Sequence, residues 1–168
     1  GQGFVLFSSY IANNNVGATT TVFGHLVDSS FKAQLYYAFG IVADAVDINN
    51  LSSVSSLPTG LTLLNGVVAT YATGAATAGY FDYGNVQIPG YTSGPITFEV
   101  VAYNGADYAS ASIRGRSGAF TMAGIATGVN PSDSMNGMPN IVIGVPEPTT
   151  IVLATLGLAS LALIRRRK

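Results

Sequence analysis

The chain has 168 residues, no cysteine, one histidine and a formal net charge of −1. Lacking cysteine, it has no disulfide, no iron–sulfur ligation and no thiol nucleophile. The charge is unevenly spread. Residues 1–145 hold Lys32, Arg114 and Arg116 against Asp28, Asp44, Asp47, Asp82, Glu99, Asp107 and Asp133, a net charge of −4, and the other four cations are the last four residues. An acidic stretch with three scattered cations is a poor partner for nucleic acid or anionic lipid.

Val, Ile, Thr, Tyr and Phe are frequent and 20 glycines punctuate the chain, a composition that favours strands. Strands are expected at 4–9 and 19–27, with Asn13, Asn14 and Asn15 as the turn between them. The clearest half-buried strand is 31–39, where Phe31, Ala33, Leu35, Tyr37 and Phe39 alternate with Lys32, Gln34, Tyr36 and Ala38. Residues 44–58, rich in Ser and Asn, are expected to form a long surface loop with at most one helical turn. Segments 61–64 and 67–73 flank Asn65-Gly66, a strong hairpin signal. A small-residue turn at 74–79 leads to strands at 79–88 and 96–103, divided by Pro89-Gly90 and Gly94-Pro95. Further strands are expected at 108–114, 118–122 and 140–145, with a loop at 124–139. Eight to ten short strands closely spaced by turns predict one all-β domain over residues 1–145, an antiparallel β-sandwich, with a jelly roll or barrel as the alternative.

No catalytic set assembles from the sequence. His25 sits on an expected strand and cannot by itself supply a triad or a multi-histidine metal site. Asp44 and Asp47 could pair for acid–base work or join Asp28 in a calcium site, but no Asp-x-Asp-x-Asp-Gly loop accompanies them. Asp82 and Glu99 could be the carboxylate pair of a glycosidase, although their spacing equally fits two exposed strand positions. The glycines at 74–79 lack the Lys-Ser or Lys-Thr of a phosphate loop, and Gly-x-Ser-x-Gly is absent. No metal or cofactor is therefore expected. Tyr80, Phe81, Tyr83 and Tyr91 cluster in sequence, and exposed tyrosines at 80, 83 and 91 could stack on sugar rings; core packing is the alternative. Thr19, Thr20 and Thr21 form a single threonine run, which alternates faces and makes no flat array.

The C-terminus has a different character. Pro146, Glu147 and Pro148 precede sixteen uncharged residues, 149–164, which end at Arg165, Arg166, Arg167 and Lys168. Wound as a helix, sixteen residues reach about 24 Å, short for a hydrocarbon core of about 30 Å but adequate if the bilayer thins and the arginines snorkel. The prolines place the helix start at or after Thr149. Four terminal cations favour a cytoplasmic C-terminus, leaving the domain on the far side of the membrane. The expectation is a single C-terminal transmembrane helix.

Residues 145–168 resemble the PEP-CTERM sorting signal of Gram-negative bacteria, in which a Pro-Glu-Pro motif, a membrane helix and an arginine cluster are recognised by a membrane-embedded transpeptidase, exosortase. The same element also goes by the name of the ice-binding protein C-terminal domain. On this resemblance, Pro146, Glu147 and Pro148 are the sorting motif, 149–164 the inner-membrane helix and 165–168 the flanking basic cluster. It implies export, retention in the inner membrane, then removal of the tail and release to the cell surface or an extracellular matrix. The chain opens at Gly1 without an apolar leader, so a signal peptide is expected to have been removed. The domain resembles the small secreted PEP-CTERM cargo proteins of Verrucomicrobia and Planctomycetes. The similarity lies in Gln2, Gly3, Phe4 and Val5, in Lys32, Ala33, Gln34, Leu35, Tyr36 and Tyr37, and in Val86, Gln87, Ile88, Pro89 and Gly90. It continues in Tyr108, Ala109, Ser110 and Ala111 ahead of Gly115, Arg116, Ser117 and Phe120. The combined expectation is an exported, non-enzymatic surface or matrix protein whose partners are exosortase, the inner membrane and extracellular polysaccharide. The alternatives are a carbohydrate- or ice-binding module and, behind it, a secreted hydrolase.

Overall fold

The computed structural model describes residues 2–10, 17–128 and 132–144. In chain order the strands are β1 (Gln2–Ser8), β2 (Thr20–Val22), β3 (His25–Leu26), β4 (Lys32–Phe39), β5 (Thr62–Thr70), β6 (Asp82–Pro89), β7 (Ile96–Asn104), β8 (Ile113–Arg116), β9 (Phe120–Met122), β10 (Asp133–Ser134) and β11 (Ile141–Ile143). One short helix, α1 (Leu51–Val54), lies between β4 and β5. The domain is all-β, as composition and turn spacing predict. Three sheets share one core: β10-β1-β6, β11-β2-β3, and β5-β4-β7-β8 with β9 also on β7.

The core is built by alternation. Val5 and Phe7 on β1, Val86 and Ile88 on β6, Ala33 and Leu35 on β4, and Phe98, Val100 and Ala102 on β7 point into a common interior closed by Ile141 and Ile143. β4 pairs along its whole length with β7, from Lys32↔Tyr103 to Phe39↔Ile96. Its inward face is the predicted one up to Leu35; Tyr37 is half-buried and Phe39 emerges at the rim, 53% exposed. β7 is buried on both faces from Ile96 to Tyr103. Its second face carries Val101 and Tyr103, covered by Tyr108 and Ala111 from the turn after the strand.

Four details depart from the expectations. Asn65-Gly66 makes no hairpin: β5 runs through it, both halves pair with β4, and the four residues between Leu63 and Val68 bulge opposite the single residue Leu35. The expected strand 19–27 folds back on itself at Phe23-Gly24, both at positive φ (51° and 76°), the two-residue turn that suits a hairpin's twist. The expected strand 108–114 begins only at Ile113, because Tyr108 is buried in a turn and donates its hydroxyl to Ser56 O at 2.9 Å. Pairing is not wholly antiparallel either, since β10 runs parallel to β1 and β11 parallel to β2. The helical turn expected in 44–58 is α1, capped by the Asn50 side chain, which accepts from Ser52 N and Ser53 N. Among the described residues no helix is long and apolar enough to cross a membrane. The expected helix 149–164 lies outside the described residues.

Candidate functional site

The one buried charge cluster in the described residues lies where β7, β8 and the loop before α1 meet. Glu99 projects from the second face of β7, and its side chain is fully buried. Arg116, at the end of β8, places Nη1 2.8 Å from Glu99 Oε1 and 2.7 Å from Asp44 Oδ2. Its Nε donates to Ser53 O at 3.1 Å and its Nη2 reaches Ala45 O at 3.4 Å. Asp44 also accepts from Thr59 N at 2.6 Å. The guanidinium thus ties both ends of the 44–59 loop, and α1 within it, to the central strand.

Electrostatics explain how two carboxylates tolerate this burial. Desolvation pushes Glu99 up to about 7, against the downward pull of Arg116, and Asp44 adds a further upward push. Among the described residues Glu99 Oε2 has no hydrogen-bond partner. A proton on that carboxyl removes its buried charge and its repulsion with Asp44, leaving Arg116 and Asp44 as a neutral pair. Burial opposes the Arg116 charge, but its contacts with Glu99 and Asp44 outweigh that and raise its pKa. A side chain so enclosed cannot meet a substrate. The cluster clamps a loop to a sheet.

The other candidates are scattered. His25 is exposed on β3. Asp28 accepts from Ser30 N and Asp47 from Asn49 N, each bracing its own turn, and hydrogen bonds from the Ser30 side chain and backbone hold Asp28 below the usual carboxylate range. Among the described residues no three His, Cys, Asp or Glu side chains converge. Asp82 is exposed at the start of β6, whereas Glu99 is sealed under Arg116 on a different sheet, so the two are not brought together as a carboxylate pair, and of the two strand positions read as exposed only Asp82 is. Tyr91 is 2% exposed, its hydroxyl donating to Gly94 O and accepting from Ile125 N, so its ring is packed in the core. Tyr80 is half-buried and stacks on Tyr10 at 5.1 Å, while Tyr83 is 45% exposed with its ring 6.2 Å from Phe7. Thr20 is buried and bonded to the Tyr71 hydroxyl, which breaks the threonine run as a surface.

The C-terminal signal follows the fold almost without a spacer. β11 is locked in by Ile141 and Ile143, at 0% and 1% exposure, and Pro146 comes three residues after Ile143. Pro146, Glu147, Pro148, the stretch 149–164 and the cluster Arg165, Arg166, Arg167 and Lys168 lie outside the described residues. An all-β domain running directly into such a tail has the make-up of an exported, sorted protein. Residues 144–168 match the PEP-CTERM protein-sorting motif. The chain carries that signal, and the signal implies export and an exosortase as processing partner. No curated protein and no solved structure matches the chain.

Proposed function

We propose that this is an exported, non-enzymatic protein of the cell surface or extracellular matrix. In this reading residues 149–164 hold it in the inner membrane with the basic cluster 165–168 on the cytoplasmic side, and exosortase then removes the tail. The observation that carries the reading is the sorting motif at 144–168, joined directly to a strand of the folded domain. The non-enzymatic part draws on the placement of the ionisable groups: Glu99 and Arg116 are spent on a buried clamp, and Asp28 and Asp47 on turns. The sheets, wrapped about one core, are read as a β-sandwich that presents its loops to the surroundings. Carbohydrate or ice binding has less support, because Tyr91 and Thr20 are buried and Tyr80 is half-buried against Tyr10.

The test is fractionation of the producing cells with intact-mass measurement of the membrane and external pools. A released form lacking the residues after about Pro146 is expected. Replacing Pro146, Glu147 and Pro148 with alanine is expected to leave the full-length chain in the inner membrane. Full-length protein alone in every fraction would sink the sorting reading.

A further inference from the structure

We propose that the tip of the β2–β3 hairpin, led by Phe23, is a lipid-docking point that seats the domain on the membrane surface while the tail anchors it. The proposal rests on the anchoring reading above and goes beyond it by assigning a face of the domain.

The topology sets the geometry. β11 runs parallel to β2 with Ile143 opposite Val22, so the residues that follow, Gly144 and Phe23, leave the same end of the sheet. Phe23 is 48% exposed there. It also sits at φ 51°, in the left-handed region that a two-residue turn normally gives to Asn, Asp or Gly. An aromatic ring at that position is costly to the fold and exposed to water, and both costs call for a contact outside the domain. A second apolar side chain lies near this end. Leu51 Cδ1 stands 3.2 Å from where a Cβ on Gly144 would be, and Ile48, three residues before Leu51, is 61% exposed.

Chain length leaves the domain little freedom. Five residues, 144–148, separate β11 from the first residue of the expected helix, and fully extended they span at most about 17 Å. The headgroup layer takes up roughly 5–8 Å of that, as half the difference between the full bilayer and its hydrocarbon core. The reach left over is roughly 10 Å, so the end bearing Gly144, and Phe23 with it, stays within range of the lipid.

The chemistry favours an apolar contact over one made to anionic headgroups. Each cation outside the tail is engaged elsewhere: Lys32 donates to Gly105 O, Arg114 to Tyr108 O and Ala109 O, and Arg116 to its buried carboxylates. Asp47, beside Ile48, is exposed and limits how deep this edge can go. The contact is therefore shallow, apolar and insensitive to salt.

The chain contains no tryptophan, so a single introduced indole reports its own surroundings. Full-length Phe23→Trp, with Ile48→Trp as a second reporter and Phe39→Trp as a control outside the contact, would be reconstituted into zwitterionic phosphatidylcholine vesicles and floated on a density gradient. The expected result for Phe23→Trp is emission shifted to shorter wavelength, quenching by lipids brominated near the headgroup, protection from aqueous acrylamide, and no change with salt. Floating protein whose Trp at 23 is as accessible to acrylamide as in detergent-free peptide overturns docking and leaves anchoring intact. Protection of the Phe39→Trp control to the same degree overturns it as non-specific adsorption, and protection that appears only when exosortase is co-reconstituted overturns it in favour of an enzyme contact. Protein that fails to float overturns the anchoring reading and the docking with it.

Discussion

Arg116 holds two carboxylates on a single nitrogen, Nη1, at 2.7 and 2.8 Å, within a cluster of which Glu99 is fully buried. Removing one partner of such a cluster strands the others in a dry environment. Arg116→Ala is expected to destabilise the domain by about 3–5 kcal/mol, measured by urea unfolding. Glu99 makes a second expectation, in pH. Its folded pKa, about 7, lies above the ordinary glutamate value of 4.5, so between these values the unfolded chain releases a proton that the folded chain keeps. Stability from this group is therefore greatest below about pH 4.5, falls as pH rises to about 7 and is level above, a loss on the order of 3 kcal/mol. Glu99→Gln is expected to flatten that part of the stability–pH curve; an unchanged slope would mean that Glu99 is ionised in the folded protein. The sequence held the clue to this burial. From Ile96 to Tyr103 both alternating positions are apolar or aromatic except Thr97 and Glu99, the pattern of a strand covered on both faces, which makes any charge in it a buried one. What the sequence could not supply was the partner, since Arg116 and Asp44 are brought in by β8 and a loop far along the chain.

At the scale of elements, the long alternating strands were legible, as were the turns at 74–79 and between β6 and β7, but two turns were not. β4, β6 and β7 lie close to where their patterns put them, because period-two alternation is read directly from burial. One turn signal competed with long-range pairing and lost. Asn65-Gly66 has the chemistry of a hairpin, yet Leu63 and Val68 both find partners on β4, so the pair is absorbed as a bulge with Gly66 at φ 80°. Phe23-Gly24 has half of that chemistry and forms the hairpin, because β2 is already fixed against β11 and β3 must return beside it. This mismatch can be measured. Phe23→Asn gives the turn its preferred residue and is expected to raise the stability of the protein by about 1 kcal/mol, seen as a higher thermal midpoint. A gain in stability together with a loss of vesicle contact would identify Phe23 as a residue retained at the fold's expense.

The whole molecule divides at a sharper place than composition suggests. The change from domain to tail was legible as a switch from punctuated strands to proline-bracketed acid, apolar stretch and basic end, and the family match begins at 144. The strand expected at 140–145 is β11, so the domain's own core reaches to Ile143, one residue short of that match; what the sequence left open was its partner, since a three-residue strand carries no trace of its parallel pairing with β2. Its consequence for sorting is mechanical. Ile141 and Ile143 close the core between β2 and β8, and Gly115 opposite has no room for a side chain, with Ile143 Cγ1 2.9 Å from the site of a Cβ. A cut anywhere beyond Gly144 leaves these contacts whole, whereas loss of β11 removes two buried isoleucines at about 1.5–3 kcal/mol each and exposes the edge of β2. A chain ending at Gly144 is accordingly expected to melt within a few degrees of the full-length protein, and one ending at Asn140 lower by on the order of 10 °C, followed by circular dichroism. Equal melting of the two truncations would show that β11 is dispensable; a large loss on cutting at Gly144 would mean that the signal itself is part of the fold, and that its removal could not yield a folded, released domain.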